Sequence, residues 1–250
     1  MKGVILAGGS GTRLHPLTKI TNKHLLPLYN KPVIFHAVEK LVSAGIDKIM
    51  LVASPQYIED FVSVLGSGSN WKSRNTSDKQ VQIVYGIQNE PTGIADGLWI
   101  AKDFIGVDSV VLHLGDNIIF EDLEKHVQNF KSGAKIFVKR VRDPERFGVA
   151  TIDESGRVIE IIEKPKTPVS DLAVTGIYIY DNSVFDRMIG MPKSERGEYE
   201  ITWVNNQFID TGDLEAVHIT GDWFDVGTFE SLLTASLYVK EKHDSEQKGS

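Results

Sequence analysis

The sequence predicts an α/β domain: a mixed sheet sandwiched by helices and extended by a β-rich elaboration. Three observations predict it. A short apolar run, Gly3 to Ala7 (GVILA), feeds directly into glycines at 8, 9 and 11. Strand-like and helix-like segments then alternate as far as Asp116. After Asp122 the grammar changes, and several β-like runs follow one another. Alternating strands and helices call for βαβ units and a parallel sheet covered on both faces.

Each element has its own reason. GVILA is apolar at every position, as a strand buried on both faces must be. Residues 33–44 carry apolar side chains at 34, 38, 41 and 42, a helical spacing that Gly45 ends. Strands are expected at 48–53 (KIMLVA), 81–85 and 109–114 (SVVLHL), and helices at 57–65 and 94–104. The stretch 66–79, rich in Ser, Gly and Asn, reads as a loop. A helix over 122–131 precedes β runs at 134–141, 149–153, 158–163 and 173–180, which extend the sheet and build a lid beside it. The turn Glu154-Ser155-Gly156-Arg157 suits a hairpin between two of them. Helices at 183–190, 200–210 and 228–241 and a strand at 214–219 complete the pattern. The whole reads as a single domain over 1–241, with a first part to about 121, a second over 122–241, and a frayed polar tail at 242–250.

The composition narrows the function. Of 250 residues, 27 are Lys or Arg and 34 Asp or Glu, a net charge of −7, with 41% apolar residues. Such a chain is too apolar for disorder and too acidic for nucleic acid or an anionic membrane to be its main partner. A small anionic substrate needs only a few local cations. The absence of cysteine excludes disulfides, thiolate metal sites and Cys nucleophiles. No apolar run reaches about 18 residues and no leader opens the chain, so a soluble, cytoplasmic protein is expected.

The first chemical signal is Leu6-Ala7-Gly8-Gly9-Ser10-Gly11-Thr12-Arg13-Leu14. Glycines after a buried strand let the backbone turn sharply and aim N–H groups at an anion. A dinucleotide fingerprint fails, because Gly9-Ser10-Gly11 runs into Thr12, Arg13 and Leu14. A P-loop fails for want of Gly-Lys-Ser/Thr. What remains is a glycine-rich loop with its own Arg13, whose planar fork suits phosphate oxygens. Alone, this reads equally well as a tight turn with a surface arginine.

Downstream residues shift the balance. LAGGSGTRL with Asn22-Lys23-His24-Leu25-Leu26-Pro27 resembles the sugar-1-phosphate nucleotidylyltransferases, and among them the short-form glucose-1-phosphate thymidylyltransferases. The likeness continues in GSNW (68–71), LGDN (114–117), DPERFGV (143–149), EKP (163–165), AVTGIYIYD (173–181), RGEYEIT (196–202) and WFDVGT (223–228), in the family's order over nearly the whole chain. The fold it implies is a Rossmann-like mixed sheet with a sugar-binding β elaboration. The reaction it implies joins dTTP and glucose-1-phosphate into dTDP-glucose and pyrophosphate. A uridylyltransferase, an enzyme for another hexose- or aminosugar-1-phosphate, and a silent sugar-nucleotide sensor are the alternatives. The presence of Arg13, Lys23, Asp116 and Asp225 together speaks against the silent one.

The same resemblance assigns roles. It makes Arg13, Lys23, Asp116 and Asp225 catalytic, with Asp116 and Asp225 holding Mg²⁺. It places Leu6, Ala7, Gly8, Gly9, Gly11, Thr12, Arg13, Lys23 and Asp116 against the triphosphate. Gln88 and Gly93 become readers of a pyrimidine, since a glutamine amide offers a donor and an acceptor side by side. Asn117, Gly148, Glu163, Lys164, Val174, Gly176 and Arg196 become the sugar-phosphate site. The chain departs from the family's usual residues at three places: His24 and Asp96 stand for Gln, and Trp203 for Asp. It also ends soon after the 228–241 helix, from which no separate regulatory site is expected. A homo-oligomer remains open.

Overall fold

The computed structural model describes residues 1–72 and 80–248. Part of the loop expected over 66–79 therefore lies outside the described residues. The first half runs β1 (Lys2–Leu6), a small hairpin of β2 (Pro27–Leu28) and β3 (Lys31–Pro32), α1 (Val33–Ser43), β4 (Lys48–Ala53), α2 (Ile58–Leu65), β5 (Gln82–Ile87), α3 (Ile94–Ile100), α4 (Lys102–Ile105), β6 (Val110–Leu114) and β7 (Asn117–Ile119). The second half runs α5 (Glu124–Gln128), β8 (Ala134–Arg140), β9 (Gly148–Ile152), β10 (Val158–Glu163), β11 (Leu172–Tyr180), α6 (Val184–Arg187), α7 (Ile201–Asp210), β12 (Leu214–His218), β13 (Trp223–Asp225) and α8 (Phe229–Lys248).

The main sheet has the order β10-β9-β11-β6-β1-β4-β5, with β8 and then β12 attached beside β11. β6, β1, β4 and β5 run parallel, while β11 enters antiparallel to β6. Burial on both faces explains the unbroken apolar run of β1. Val4 and Leu6 join one core with α3, α4, α6 and α7, and Ile5 and Ala7 join the other with α1 and α2. A third cluster ties β2, β7 and α8 together through Leu28, Ile118, Val226 and Ala235.

The strand β11 is shared between two neighbours. Its residues Ile177 to Tyr180 pair with β6, whereas Ala173, further along the same edge, pairs with Val149 of β9. Val174 to Gly176, between these contacts, pair with neither β6 nor β9, and on the opposite edge the register with β8 shifts between Val174 and Tyr178. This fork opens the sheet where the candidate site lies.

Some expectations need correction. The helix expected over 94–104 breaks at Ala101 into α3 and α4, and the one over 122–131 shortens to α5. The last helix continues to Lys248, past the expected stop at 241. Lys240–Asp244 and the Ser245 hydroxyl bonded to the Glu241 carbonyl hold its final turns, so the tail expected to fray from 242 is helical to that point. The ribbon of β7 with β13 was not foreseen. No helix among the described residues is long and apolar enough to cross a membrane.

Candidate active site

Two adjoining cavities open at the carboxyl ends of the parallel strands, where ligands of open α/β sheets sit. One, about 380 Å³, is floored by Leu6, Gly8 and Gly9 after β1, by Gln88 after β5 and by Asp116 after β6. The other, about 340 Å³, is lined by Asn117, Gly148, Glu163, Lys164, Val174 and Gly176, with Asp225 at its edge. Ile94, Leu114 and Arg196 belong to both.

The structure thus brings together most of the residues singled out from the sequence, and it divides them. Gln88 and Gly93 line the first cavity with Lys23, while every residue expected to touch the sugar phosphate lines the second. Arg13 lines the second cavity, with its guanidinium against Gly227. Ala7, Gly11 and Thr12 line neither. Ala7 is fully buried; its N–H bonds the Val52 carbonyl and its carbonyl accepts from Asn22. Trp203 packs on the core and stands outside both cavities.

Asp116 and Asp225 face each other across the boundary. β6 delivers Asp116 directly, and β13 delivers Asp225 by pairing with β7, where Asp225 stands opposite Asn117. The Val226 N–H donates to the Asp116 carbonyl at 2.9 Å and fastens the two segments. Burial opposes ionisation of Asp116, but the Lys23 ammonium bonded to it, then His24, hold its carboxyl well below the usual range. Asp225 behaves oppositely: burial first, then the charge of Asp116, push its carboxyl up to about 6, against the pull of Lys23, Arg146 and Arg13. A buried and a partly buried carboxylate thus share one space with Lys23, Arg146 and Arg13, and their mutual repulsion falls on Asp225.

Arg146 escaped the sequence reading, although it lies in the DPERFGV run. Its Nη2 donates to Asp225 Oδ2 at 3.0 Å and its Nη1 to Asp143 at 2.6 Å. An arginine in a polar loop carries no periodic signal, so only the fold reveals its target. Asn117 organises the fork: its Oδ1 accepts from the Gly176 N–H at 2.9 Å and from Trp223 Nε1 at 2.7 Å. A Cβ on Gly176 would stand 2.5 Å from the Asn117 carboxamide carbon, so no larger residue fits there.

On the far wall, Glu163 Oε2 accepts from the Thr202 hydroxyl at 2.6 Å, and Lys164 Nζ and Arg196 Nη1 stand 3.5 and 3.6 Å from Glu163 Oε1. Lys164 adopts φ 42°, a costly left-handed conformation for a lysine, fixed by its N–H on the Phe147 carbonyl. A strained residue at a cavity wall is the kind of outlier that marks a functional position.

Comparison with known proteins identifies the family and the fold. The chain belongs to the nucleotidyl transferase family, whose profile matches residues 2–242. It is similar to a glucose-1-phosphate thymidylyltransferase of Mycolicibacterium smegmatis, 44% identical over 245 residues that cover 96% of this chain and 82% of that one. Among solved structures, a Bacillus anthracis protein described as a glucose-1-phosphate thymidylyltransferase in complex with sucrose superposes with a TM-score of 0.86 at 46% identity, covering 95% and 94% of the two chains. A UDP-glucose pyrophosphorylase complexed with UDP-glucose shares the fold at 23% identity, with a TM-score of 0.82 over 96% and 98%. The mixed α/β architecture is that of nucleotide-diphospho-sugar transferases, and the protein is a nucleotidyltransferase.

Proposed function

We propose that this enzyme transfers the nucleotidyl group of dTTP to glucose-1-phosphate, giving dTDP-glucose and pyrophosphate, with UTP as the nearest competing nucleotide. One observation carries the reading: a glycine-floored cavity and a cation-lined cavity meet at a pair of carboxylates. A phosphate oxygen of the sugar attacks the α-phosphorus, the bond from that phosphorus to the bridging oxygen breaks, and pyrophosphate leaves opposite. The nucleophile is already an anion, so no proton has to move. The barrier lies in bringing two polyanions together, and the residues in place answer it.

Gly8 and Gly9 let the backbone approach the triphosphate, and Lys23 attracts its α-phosphate end. Arg13 and Arg146 face the charge that develops beside Asp225. Lys164 and Arg196 hold the sugar phosphate, and Glu163, steadied by Thr202, accepts from sugar hydroxyls. Asp116 and Asp225 would hold Mg²⁺. Among the described residues no larger cluster of His, Asp and Glu gathers, and two hard carboxylate ligands suit an ion that takes its remaining oxygens from substrate and water. Mg²⁺ there supplies charge neutralisation at the reacting phosphates.

Pyrophosphate release from TTP, UTP, CTP, ATP and GTP against several sugar-1-phosphates tests the reading. TTP with glucose-1-phosphate should be fastest and UTP second. A purine triphosphate outperforming both pyrimidines would overturn it.

A further inference from the structure

The side chain of Gln88 lies on the floor of the nucleotide-side cavity, 7% exposed. Its two amide hydrogens are both committed inside the protein. Nε2 donates to the Gly93 carbonyl at 3.1 Å and to Asp96 Oδ2 at 2.9 Å. The same Asp96 oxygen accepts from the Thr92 hydroxyl at 2.7 Å. The oxygen, Oε1, sits over Gly8, where a Cβ would stand only 2.8 Å away. Neither a backbone carbonyl nor a carboxylate has a hydrogen to give. Turning the amide over would set Oε1 against two acceptors, so its orientation is dictated by chemistry.

We propose that Asp96 is a positioning residue that fixes which hydrogen-bonding edge the nucleotide site accepts. With both hydrogens consumed, Gln88 no longer offers a donor and an acceptor together. It offers an acceptor alone. A pyrimidine that carries N3–H, thymine or uracil, donates to that oxygen. Cytosine presents a lone pair at N3, and lone pair meets lone pair. This rests on the reading that the protein uses a pyrimidine nucleoside triphosphate, and it adds the device by which one pyrimidine is refused. The Gly93 carbonyl alone is a weaker hold, because Asp96 contributes a carboxylate acceptor, and hydrogen bonds to carboxylates are stronger than those to neutral carbonyls.

Steady-state kinetics with TTP, UTP and CTP at saturating glucose-1-phosphate test it on the wild type, Asp96→Ala and Asp96→Asn. Asp96→Asn keeps the size and can face Gln88 with either an amide oxygen or an amide nitrogen, so it frees the flip with the packing kept. Both variants should narrow the TTP-to-CTP ratio of kcat/KM about tenfold, mostly through KM, with kcat for TTP within about threefold of wild type. A ratio unchanged in both variants, or equal losses for TTP and CTP, would overturn the proposal, because a merely structural Asp96 would damage both nucleotides alike. A second measurement needs no variant. Wild-type enzyme should use 3-methyl-UTP, which lacks N3–H, at least about tenfold less well than UTP, and equal use of the two also overturns it. These failures leave TTP and UTP as substrates and so spare the functional reading. A wild type that uses neither TTP nor UTP refutes that reading and this proposal together.

Discussion

The two cavities are built from different materials. The glycine-floored cavity presents backbone, glycines and one amide beside Lys23 and Asp116, and most of its lining follows β1, β5 and β6, with Arg196 and Glu198 added from the second half. The sugar side relies on charged side chains, Arg13, Arg146, Glu163, Lys164 and Arg196, drawn from segments far apart in the chain. Adjacent strand ends can present a backbone surface with few partners. A set of like and unlike charges needs many distant segments to fix each one. Each kind of site should be most sensitive where it is built: the first at its glycines and its one amide, the second at its charges and at the crowded fork around Gly176.

The largest expected effect falls on the boundary that both sides share. Asp116→Asn or Asp225→Asn should lower kcat about 10²–10³-fold in the release assay, as loss of an electrostatic group at a reacting phosphate does. A chelator should silence the wild type and Mg²⁺ should restore it. Because the fold disfavours the charge on Asp225, Asp225→Asn should melt no lower than wild type at pH 7. Retained turnover in either variant would remove the carboxylates from the mechanism.

A smaller effect separates the cavities. Lys164→Ala should raise KM for glucose-1-phosphate roughly 10- to 100-fold and leave KM for TTP within about threefold. Arg196→Ala should raise both, since Arg196 lines both cavities. If Lys164→Ala shifts the two KM values equally, the division of labour is wrong.

Gly176→Ala probes the backbone at the fork. Its new methyl meets the Asn117 carboxamide and should cost about 1–3 kcal/mol in urea or thermal unfolding, with a weaker grip on glucose-1-phosphate. Wild-type stability with unchanged sugar KM would show that the fork yields easily.

The last difference concerns acid. Burial holds His24 down to about 3 and His36 and His113 down to about 4, and all three lie in the first half of the chain. Nε2 of His36 and of His113 finds no hydrogen-bond partner among the described residues. A histidine whose folded pKa is lowered takes its proton first in the unfolded chain. Stability should therefore be full above about 6.5 and fall as pH drops toward 4, by up to about 3 kcal/mol for each histidine. Hydrogen exchange at pH 5 should open α1 and β6 before β9 and β10, and the opposite order would refute this assignment.

The parallel half was legible because doubly buried strands and amphipathic helices write long apolar patterns. Lys48 to Ala53 appears in the structure with the expected bounds. β7 and β13, three residues each, write none, and their pairing follows from the approach of distant segments. In the candidate site, the sequence named Glu163 and Lys164 through a motif, but nothing local told that Lys164 would be strained or that Arg146 would reach Asp225. Asp96 stood out only as a departure from a pattern. Its bond to Gln88 required β5 and α3 to be set side by side.

The bonds that close the fork also set an order of assembly. Asn117 takes hydrogen bonds from Gly176 and Trp223, 59 and 106 residues further along the chain. Contacts so distant in sequence close late, after local strand–helix units have formed. During synthesis the β1–β6 sheet can collapse while the Asn117 oxygen still faces water, and Asp225 has not yet been made. The boundary between the two cavities can therefore form only once Trp223 and Asp225 have been made, and a chain cut short before Trp223 carries the main sheet without the carboxylate that faces Asp116.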